Sequence, residues 1–226
     1  MAMGESSKGG DESGAERVSR RRRKPEEAER AILAAARSFL EERPFREMTV
    51  EAVMARTGLS RPAFYAYFHD RYDVVTRLLE GIGGLLFAVD RRWLVGGEGG
   101  GGDEAREVLI DALRRGSETF LRYGPVLRAI ADAASYDSRV EEVYRFGLIE
   151  RLVGAVATRI SRDVEAAISP GDLDPEETAR ALVLMTERYL LDAFGRPEGR
   201  PSPKRVAEVV GALEKVWVRT LYSSRA

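Results

Sequence analysis

The residues best suited to bind a chemical partner lie close together between positions 49 and 71. Arg61 carries a guanidinium group, which can pair with a guanine edge or with a phosphate. Tyr65 and Tyr67 offer phenol hydroxyls to phosphate oxygens and ring faces to apolar groups such as a thymine methyl. Thr49 and Arg71 lie at the two ends of the same segment. This set of residue types favours contact with a nucleic acid.

The composition argues against catalysis and against a metal centre. The chain has no cysteine, which excludes thiolate nucleophiles and cysteine-based metal sites. His69 is the only histidine, so a multi-histidine metal site is impossible and a Ser-His-Asp triad would depend on this residue. The glycine run at 96–102 is not followed by Lys-Ser/Thr and is therefore not a phosphate loop. We expect no enzyme and no cofactor, and we expect His69 to be structural or to neighbour a phosphate.

The bulk properties predict a protein without membrane contact. The chain has 226 residues, 44% of them hydrophobic, and a net charge of −1, so any preference for nucleic acid must come from how the charge is distributed. Basic residues near the N-terminus are not followed by an apolar run, and no stretch approaches the roughly 18 apolar residues of a membrane span. A cytoplasmic location is the expectation.

Hydrophobic spacing places the binding residues on two short helices joined by a tight turn. Thr49 is a suitable N-cap for the first helix, and Gly58 suits the left-handed conformation that closes it. Ser60 can cap the second helix, on which Phe64 and Phe68 lie four residues apart and would point into the core. This arrangement is typical of a helix-turn-helix, whose second helix enters the major groove of DNA.

The remaining sequence is helical in pattern and shows no sustained two-residue alternation, which predicts an all-α fold of about nine helices. Residues 1–24 should form a disordered basic arm, in which the run 20–24 is either a solvated tail or an arm that contacts DNA. Residues 25–71 should form a three-helix DNA-binding domain, and 72–226 a helical ligand-binding and dimerisation domain. The first helix should begin at Pro25, and further helices are expected near 71–95, 104–122, 125–135, 138–168, 175–195 and 203–222, with a flexible loop at 96–102.

The eighth of these helices is apolar around most of its circumference, and such a helix must be buried on nearly every side. Its apolar residues are Leu182, Val183, Leu184, Met185, Tyr189, Leu190, Leu191 and Phe194. The ninth helix offers a second apolar set, made of Val206, Val209, Val210, Leu213, Val216 and Trp217. We predict a homodimer through helices eight and nine; the alternative is a helix buried deep within one subunit.

The segment from Thr49 to Arg71 resembles the DNA-binding signature of the TetR family of transcriptional regulators. The shared features are the Gly-Leu-Ser turn at 58–60, the Tyr-Ala-Tyr-Phe ending at 65–68, and the arginine that opens the next helix. The resemblance implies that Ser60, Arg61, Pro62, Ala63, Tyr65 and Tyr67 face DNA. It further implies that Thr49 and Arg71 hold the phosphate backbone.

Further segments resemble the ethionamide-resistance repressor (EthR) branch of that family, at 31–36, 118–120, 182–188 and 216–218. The resemblance implies an elongated apolar ligand tunnel in the C-terminal domain, although each aligned residue could instead belong to an ordinary core. The aligned positions are Leu109, Ala112, Gly116, Phe120, Leu148, Arg151, Gly154, Ala155, Val183, Thr186, Glu187, Leu190 and Trp217.

The chain departs from that branch at several tunnel positions. Gly116 and Gly154 replace large aromatic residues, Val183 and Thr186 replace amides, and Arg151 replaces an aromatic residue. Arg151 could pair with Glu187 or bind an anionic ligand, because a buried charge needs a partner.

Together these features predict a homodimeric repressor that binds an inverted-repeat DNA operator and is released by a small lipophilic effector. An activator, a ligand carrier with a vestigial helix-turn-helix and an enzyme are the alternatives. The presence of both Arg61 and Arg71 in the DNA-binding segment argues against the ligand carrier.

Overall fold

The computed structural model describes residues 12–95, 102–196 and 201–222, and only the backbone at 12–25 and 89–91. Every regular element in these ranges is helical and none is a strand, which confirms the predicted all-α fold. The α-helices are α1 (Glu12–Glu42), α2 (Val50–Met54), α3 (Arg61–Tyr65), α4 (Arg71–Val95), α5 (Gly102–Ala134), α6 (Ser138–Glu141), α7 (Glu150–Glu165), α8 (Pro175–Phe194) and α9 (Pro203–Leu221). A 3-10 turn covers Phe45–Glu47, and a π-helical segment covers Glu142–Ile149.

The N-terminal unit packs α1 against α2 and α4. Ile32, Ala36 and Phe39 recur at helical spacing on one face of α1 and are buried, as the sequence predicts. The helix begins at Glu12 and not at Pro25, so the backbone of 12–24 is helical where a disordered arm was expected. Residues 1–11 of that arm lie outside the described residues, as do 96–101 of the expected glycine loop.

The predicted break before Pro125 is wrong, because α5 runs unbroken from Gly102 to Ala134. A proline inside a helix removes one backbone hydrogen bond and costs about 3 kcal/mol or more. Val126, Leu127 and Ile130 follow it in the same helix and are fully buried. Each such side chain contributes about 1.5–3 kcal/mol, so their combined burial outweighs the local cost.

The sequence predicts one continuous helix at 138–168, but the structure has a π-helical segment there that separates α6 from α7. The wider π turn carries Tyr144, Leu148 and Ile149 to buried positions. π-helical segments inside α-helices are frequently found at functional sites. The C-terminal domain places α5 in the middle, in contact with α4, α8 and α9, while α7 packs along α8.

Candidate nucleic-acid interface and apolar cavity

A helix cap and a glycine in the left-handed conformation shape the segment from the start of α2 to the start of α3. The Thr49 hydroxyl accepts a hydrogen bond from the backbone N–H of Ala52 at 3.1 Å, so Thr49 caps α2 as predicted. Gly58 has a φ of +69°, the left-handed conformation that glycine adopts without strain. Ser60 precedes α3 in an extended conformation, but its side chain forms no capping hydrogen bond.

The two phenylalanines of the segment fix α3 to the protein. Phe64 and Phe68 are 1% and 3% exposed, and their ring centroids lie 5.5 Å apart. The opposite side of α3 faces solvent and carries most of the residues expected at DNA. Of that set, Thr49, Ser60, Arg61, Pro62 and Tyr65 are exposed, whereas Ala63 and Tyr67 are partly buried and pack against the core.

Arg61 is held by neighbours on this open face. One of its guanidinium nitrogens (Nη1) lies 2.7 Å from the carboxylate of Glu51 on α2, with both side chains 60% exposed. The other (Nη2) lies 3.4 Å from the Tyr65 hydroxyl, to which it donates. Glu51 was not singled out in the sequence, because the ion pair forms between two different helices. An exposed ion pair of this kind contributes little to stability and can be exchanged for another partner.

Arg71 occupies a different environment from the one expected of a phosphate-binding residue. Its Nη1 donates to the backbone carbonyl of Met48 at 3.0 Å, and the guanidinium stacks 4.5 Å from the ring centroid of Phe45. The half-buried side chain therefore fixes the start of α4 to the 3-10 turn. Any phosphate contact would use the guanidinium N–H groups that remain.

His69 forms a local structural contact. Its backbone N–H donates to an Asp73 carboxylate oxygen at 2.8 Å, and its ring Nδ1 lies 2.8 Å from the same oxygen. The backbone hydrogen bond is the main reason that the pKa of Asp73 is lowered, and the ring hydrogen bond lowers it further. The contact fits the predicted structural role.

A polar junction connects the first turn of α4 to α6. The Tyr72 hydroxyl donates to Asp137 at 2.7 Å, and Arg139 forms an ion pair with Asp70 at 2.9 Å. The Arg139 guanidinium also stacks 4.0 Å from the centroid of the Tyr72 ring. Sequence reasoning missed this junction, because its partners lie more than sixty residues apart.

The C-terminal domain contains an apolar cavity of about 90 Å³. Ten of the thirteen expected ligand-binding residues line it: Leu109, Ala112, Gly116, Phe120, Leu148, Val183, Thr186, Glu187, Leu190 and Trp217. Further lining residues that the sequence did not identify include Leu86, Trp93, Tyr144, Ile149 and Val156. Buried aromatic residues at helical spacing could have indicated Trp93 and Tyr144, but such residues are usually ordinary core.

The other three expected residues do not line this cavity. Gly154 is exposed, and Ala155 is partly buried elsewhere on α7. Arg151 is exposed and lies over the Phe87 ring at 4.9 Å, while its Nη1 lies 3.5 Å from the Gly147 carbonyl. The proposed pairing of Arg151 with Glu187 is therefore wrong, because the π-helical turn rotates Arg151 away and Glu187 accepts a hydrogen bond from Tyr144 at 2.6 Å.

A buried polar cluster supports one end of the cavity. The Trp93 indole N–H donates to the Tyr222 hydroxyl at 3.0 Å, and Tyr222 donates to Asp163 at 2.7 Å. Asp163 also forms an ion pair with Arg159 at 2.9 Å, and both side chains are 6% exposed. Because the cluster joins α4, α7 and the residue that follows α9, it fixes the orientation of Trp93 against Trp217, at 5.9 Å between centroids.

Two further kinds of site are absent from the part of the chain that the structure describes. In residues 12–95, 102–196 and 201–222, no helix is both long and apolar enough to cross a bilayer. In the same ranges, no three acidic or histidine side chains come together as metal ligands would.

Two family models match the chain. The model of the bacterial regulatory proteins of the tetR family matches residues 32–78, which include the helix-turn-helix. The model of the C-terminal domain of the transcriptional regulator EthR matches residues 109–223, just over half of the chain.

Known proteins agree with these models. The HTH-type transcriptional regulator EthR of Mycolicibacterium smegmatis is 28% identical over 203 residues, which cover 88% of each chain. Among solved structures, Salmonella enterica GusR superposes with a TM-score of 0.69 at 15% identity, over 86% of this chain and 95% of that one. The fatty acid degradation regulator FadR of Bacillus halodurans superposes with a TM-score of 0.68 at 11% identity, over 84% and 93%.

Regulators of this family bind DNA, act as dimers and are not enzymes. The structure agrees with this family, since it has a helix-turn-helix with an exposed second helix and a helical domain built around an apolar cavity. The chain belongs to the TetR family of bacterial transcriptional regulators and is of the EthR type.

Proposed function

We propose that this protein is a repressor that binds an inverted-repeat operator as a homodimer and leaves it when a small lipophilic effector enters the cavity. It would act in the cytoplasm, on the bacterial chromosome. The residues proposed to contact DNA are Thr49, Ser60, Arg61, Pro62, Ala63, Tyr65, Tyr67 and Arg71.

The observation that carries the proposal is the two-sided character of α3. Phe64 on this helix and Phe68 just after it are buried, whereas Arg61 and Tyr65 keep more than half of their surface exposed. Arg61 would give up an exposed ion pair, a long hydrogen bond and a distant contact with the Tyr65 ring. A major groove offers a guanine edge or a phosphate as a replacement, so docking would exchange these contacts.

Dimerisation is supported by the surface of α8 and α9. One subunit already buries Leu182, Val183, Leu190, Leu191 and Phe194, so α8 needs a partner less than its composition suggested. Leu184 and Val216 nevertheless remain 45% and 42% exposed. On α9, Ala207 is exposed, and a Cβ added to Gly211 would meet nothing within 4 Å. Small residues beside exposed apolar ones allow two helices to approach closely, and a two-fold axis would place two recognition helices on two half-sites.

Control by an effector is supported by the course of α4. Through Arg71, its first turn holds the Met48 carbonyl just before the helix-turn-helix, and its later turns contribute Leu86 and Trp93 to the cavity wall. The cavity is smaller than the roughly 300–1,000 Å³ of most ligand sites. An effector would therefore push α4 outwards and favour a state with a different spacing of the two recognition helices.

Fluorescence anisotropy with labelled DNA from around the protein's own gene tests this function. The full chain is titrated at several salt concentrations beside Arg61→Ala and the control Arg106→Ala, which removes an equal charge from an exposed position of α5. We expect two subunits per inverted repeat and a loss of about 1–3 kcal/mol in Arg61→Ala alone. Transcription from the same DNA, with and without the protein, separates a repressor from an activator.

Weak, sequence-independent binding by all three proteins would indicate the wrong DNA or attraction by basic residues alone. Selection from random sequences then decides between the two. If no preferred sequence emerges, the protein is better explained as a small-molecule binding protein with a vestigial helix-turn-helix.

A further inference from the structure

The cavity wall combines aromatic rings with one carboxylate. Phe120, Tyr144, Trp93 and Trp217 supply the rings, and Glu187 supplies the acid. No lysine or arginine is among the described residues that line the cavity. Arg151, the basic residue expected there, lies over the Phe87 ring instead. The wall therefore carries negative charge and electron-rich ring faces without a positive side chain to balance them.

Glu187 has capacity for a further partner. Its carboxylate accepts one hydrogen bond, from the Tyr144 hydroxyl at 2.6 Å, and forms no ion pair within 4.0 Å among the residues that the structure describes. A carboxylate can accept about four hydrogen bonds, and a charge beside apolar surface is costly without a partner. Burial, and secondarily the nearby Glu187 carboxylate, raise the pKa of Tyr144 well above its usual value, so Tyr144 remains a neutral donor.

The other polar groups of the wall have partners within the protein. The Trp217 indole N–H donates to the Thr186 hydroxyl at 2.8 Å. The Ser117 hydroxyl donates to the Leu113 carbonyl at 2.7 Å. Apart from Tyr144, no described residue of the wall supplies a donor or a cation to Glu187, so an incoming molecule that carries only acceptors would oppose the charge already present.

We infer that the cavity selects a lipophilic cation, whose ammonium group pairs with Glu187 while its apolar body lies among the aromatic rings. This inference rests on the proposed function, which assigns the effector to this cavity. A cation is attracted to an aromatic face, and a charge-assisted hydrogen bond to a carboxylate is about twice as strong as a neutral one. Both attractions reverse or vanish for a carboxylate ligand of the same shape.

Three probes with one apolar body and different polar ends test the inference. They are 4-phenylbutylamine, 4-phenylbutan-1-ol and 4-phenylbutanoate. Because Trp93 and Trp217 are the only two tryptophans and both line the cavity, quenching of intrinsic fluorescence reports binding directly. The full-length wild type is compared with Glu187→Gln and with the control Glu107→Gln, an exposed residue on α5. Release of labelled operator is measured in the same titrations.

We expect the amine to bind at least about tenfold more tightly than the butanoate, with the alcohol in between. Glu187→Gln should remove this preference, and Glu107→Gln should keep it. Equal or tighter binding of the butanoate to the wild type, with release of the operator, would overturn the cation inference and leave the proposed function intact. If no probe quenches the tryptophans or releases the operator, the cavity is not the effector site and both proposals fail.

Discussion

Gly124 on α5 lies against the backbone at the end of α8, so Gly124→Ala is a sharp test of the C-terminal packing. A methyl group at this position would lie 2.8 Å from the carbonyl carbon of Phe194 and 3.2 Å from the backbone nitrogen of Gly195, and nearer still to the Phe194 oxygen. The obstacles are backbone atoms, which cannot rotate aside. One helix must therefore move away from the other.

The expected magnitude follows from two opposing terms. Replacing glycine by alanine inside a helix stabilises it by about 1 kcal/mol through its helix propensity. Overpacking a filled core costs about 1–3 kcal/mol, and the upper end applies here because Leu127, Leu191 and Phe194 beside the contact are buried. The free energy of unfolding should fall by about 2 kcal/mol. For a chain of this size, that lowers the melting temperature by roughly 4–8 °C.

Gly154→Ala is the matched control, because Gly154 lies inside α7, is exposed, and has nothing within 4 Å of the added carbon. This variant should gain up to about 1 kcal/mol. Thermal and urea unfolding of both variants are followed by far-ultraviolet circular dichroism at one protein concentration, since dimerisation affects the apparent stability. A Gly124→Ala melting temperature at or above that of the wild type, beside a normal Gly154→Ala, would refute the close approach.

Three further outcomes are expected. Glu51→Gln removes the carboxylate that pairs with the Arg61 guanidinium, so DNA affinity should rise severalfold. The slope of log affinity against log salt concentration should steepen by about one, and an unchanged slope in anisotropy titrations would contradict this. Tyr72→Phe removes the hydroxyl that donates to Asp137, so effector-driven release of DNA should weaken by about 0.5–2 kcal/mol while effector affinity stays the same in fluorescence titrations. Because the pKa of Tyr144 is raised in the folded state, the Tyr144 hydroxyl loses its proton at a lower pH in the unfolded chain than in the folded one. The free energy of unfolding should therefore fall by about 1.4 kcal/mol per pH unit above about pH 10. In denaturation curves measured from about pH 8 to about pH 11, Tyr144→Phe should lack this contribution to the pH dependence.

The helix-turn-helix could be predicted from the sequence because its determinants are local. A capping threonine, a glycine in the left-handed conformation and two phenylalanines four residues apart act within about twenty residues of chain. Their spacing alone fixes which side of α3 is buried. The exposed side, with Arg61 and Tyr65, then follows by elimination.

Arg71, Arg151 and Pro125 could not be assigned in the same way, because distant contacts decide their roles. Arg71 is held by a carbonyl twenty-three residues earlier in the chain. The orientation of Arg151 depends on the π-helical turn before it, which the apolar pattern does not distinguish from an ordinary helix. Pro125 remains inside α5 because buried neighbours outweigh its local cost, and that balance is a property of tertiary packing.

The polar junction at Tyr72 connects the cavity wall to the residues beside the helix-turn-helix. Tyr144 and Leu148 line the cavity on the π-helical segment, which continues directly from α6 and its N-cap Asp137. Asp137 holds the Tyr72 hydroxyl, and the adjacent Arg71 holds the Met48 carbonyl just before the helix-turn-helix. Under the proposed function, a ligand that displaces the π-helical wall would act on the start of α4 through these side-chain contacts, in addition to pressing directly on Leu86 and Trp93 farther along that helix. Under the proposed function, an effector that moves both ends of α4 in the same sense shifts the whole helix as a rigid body, and the recognition helix follows.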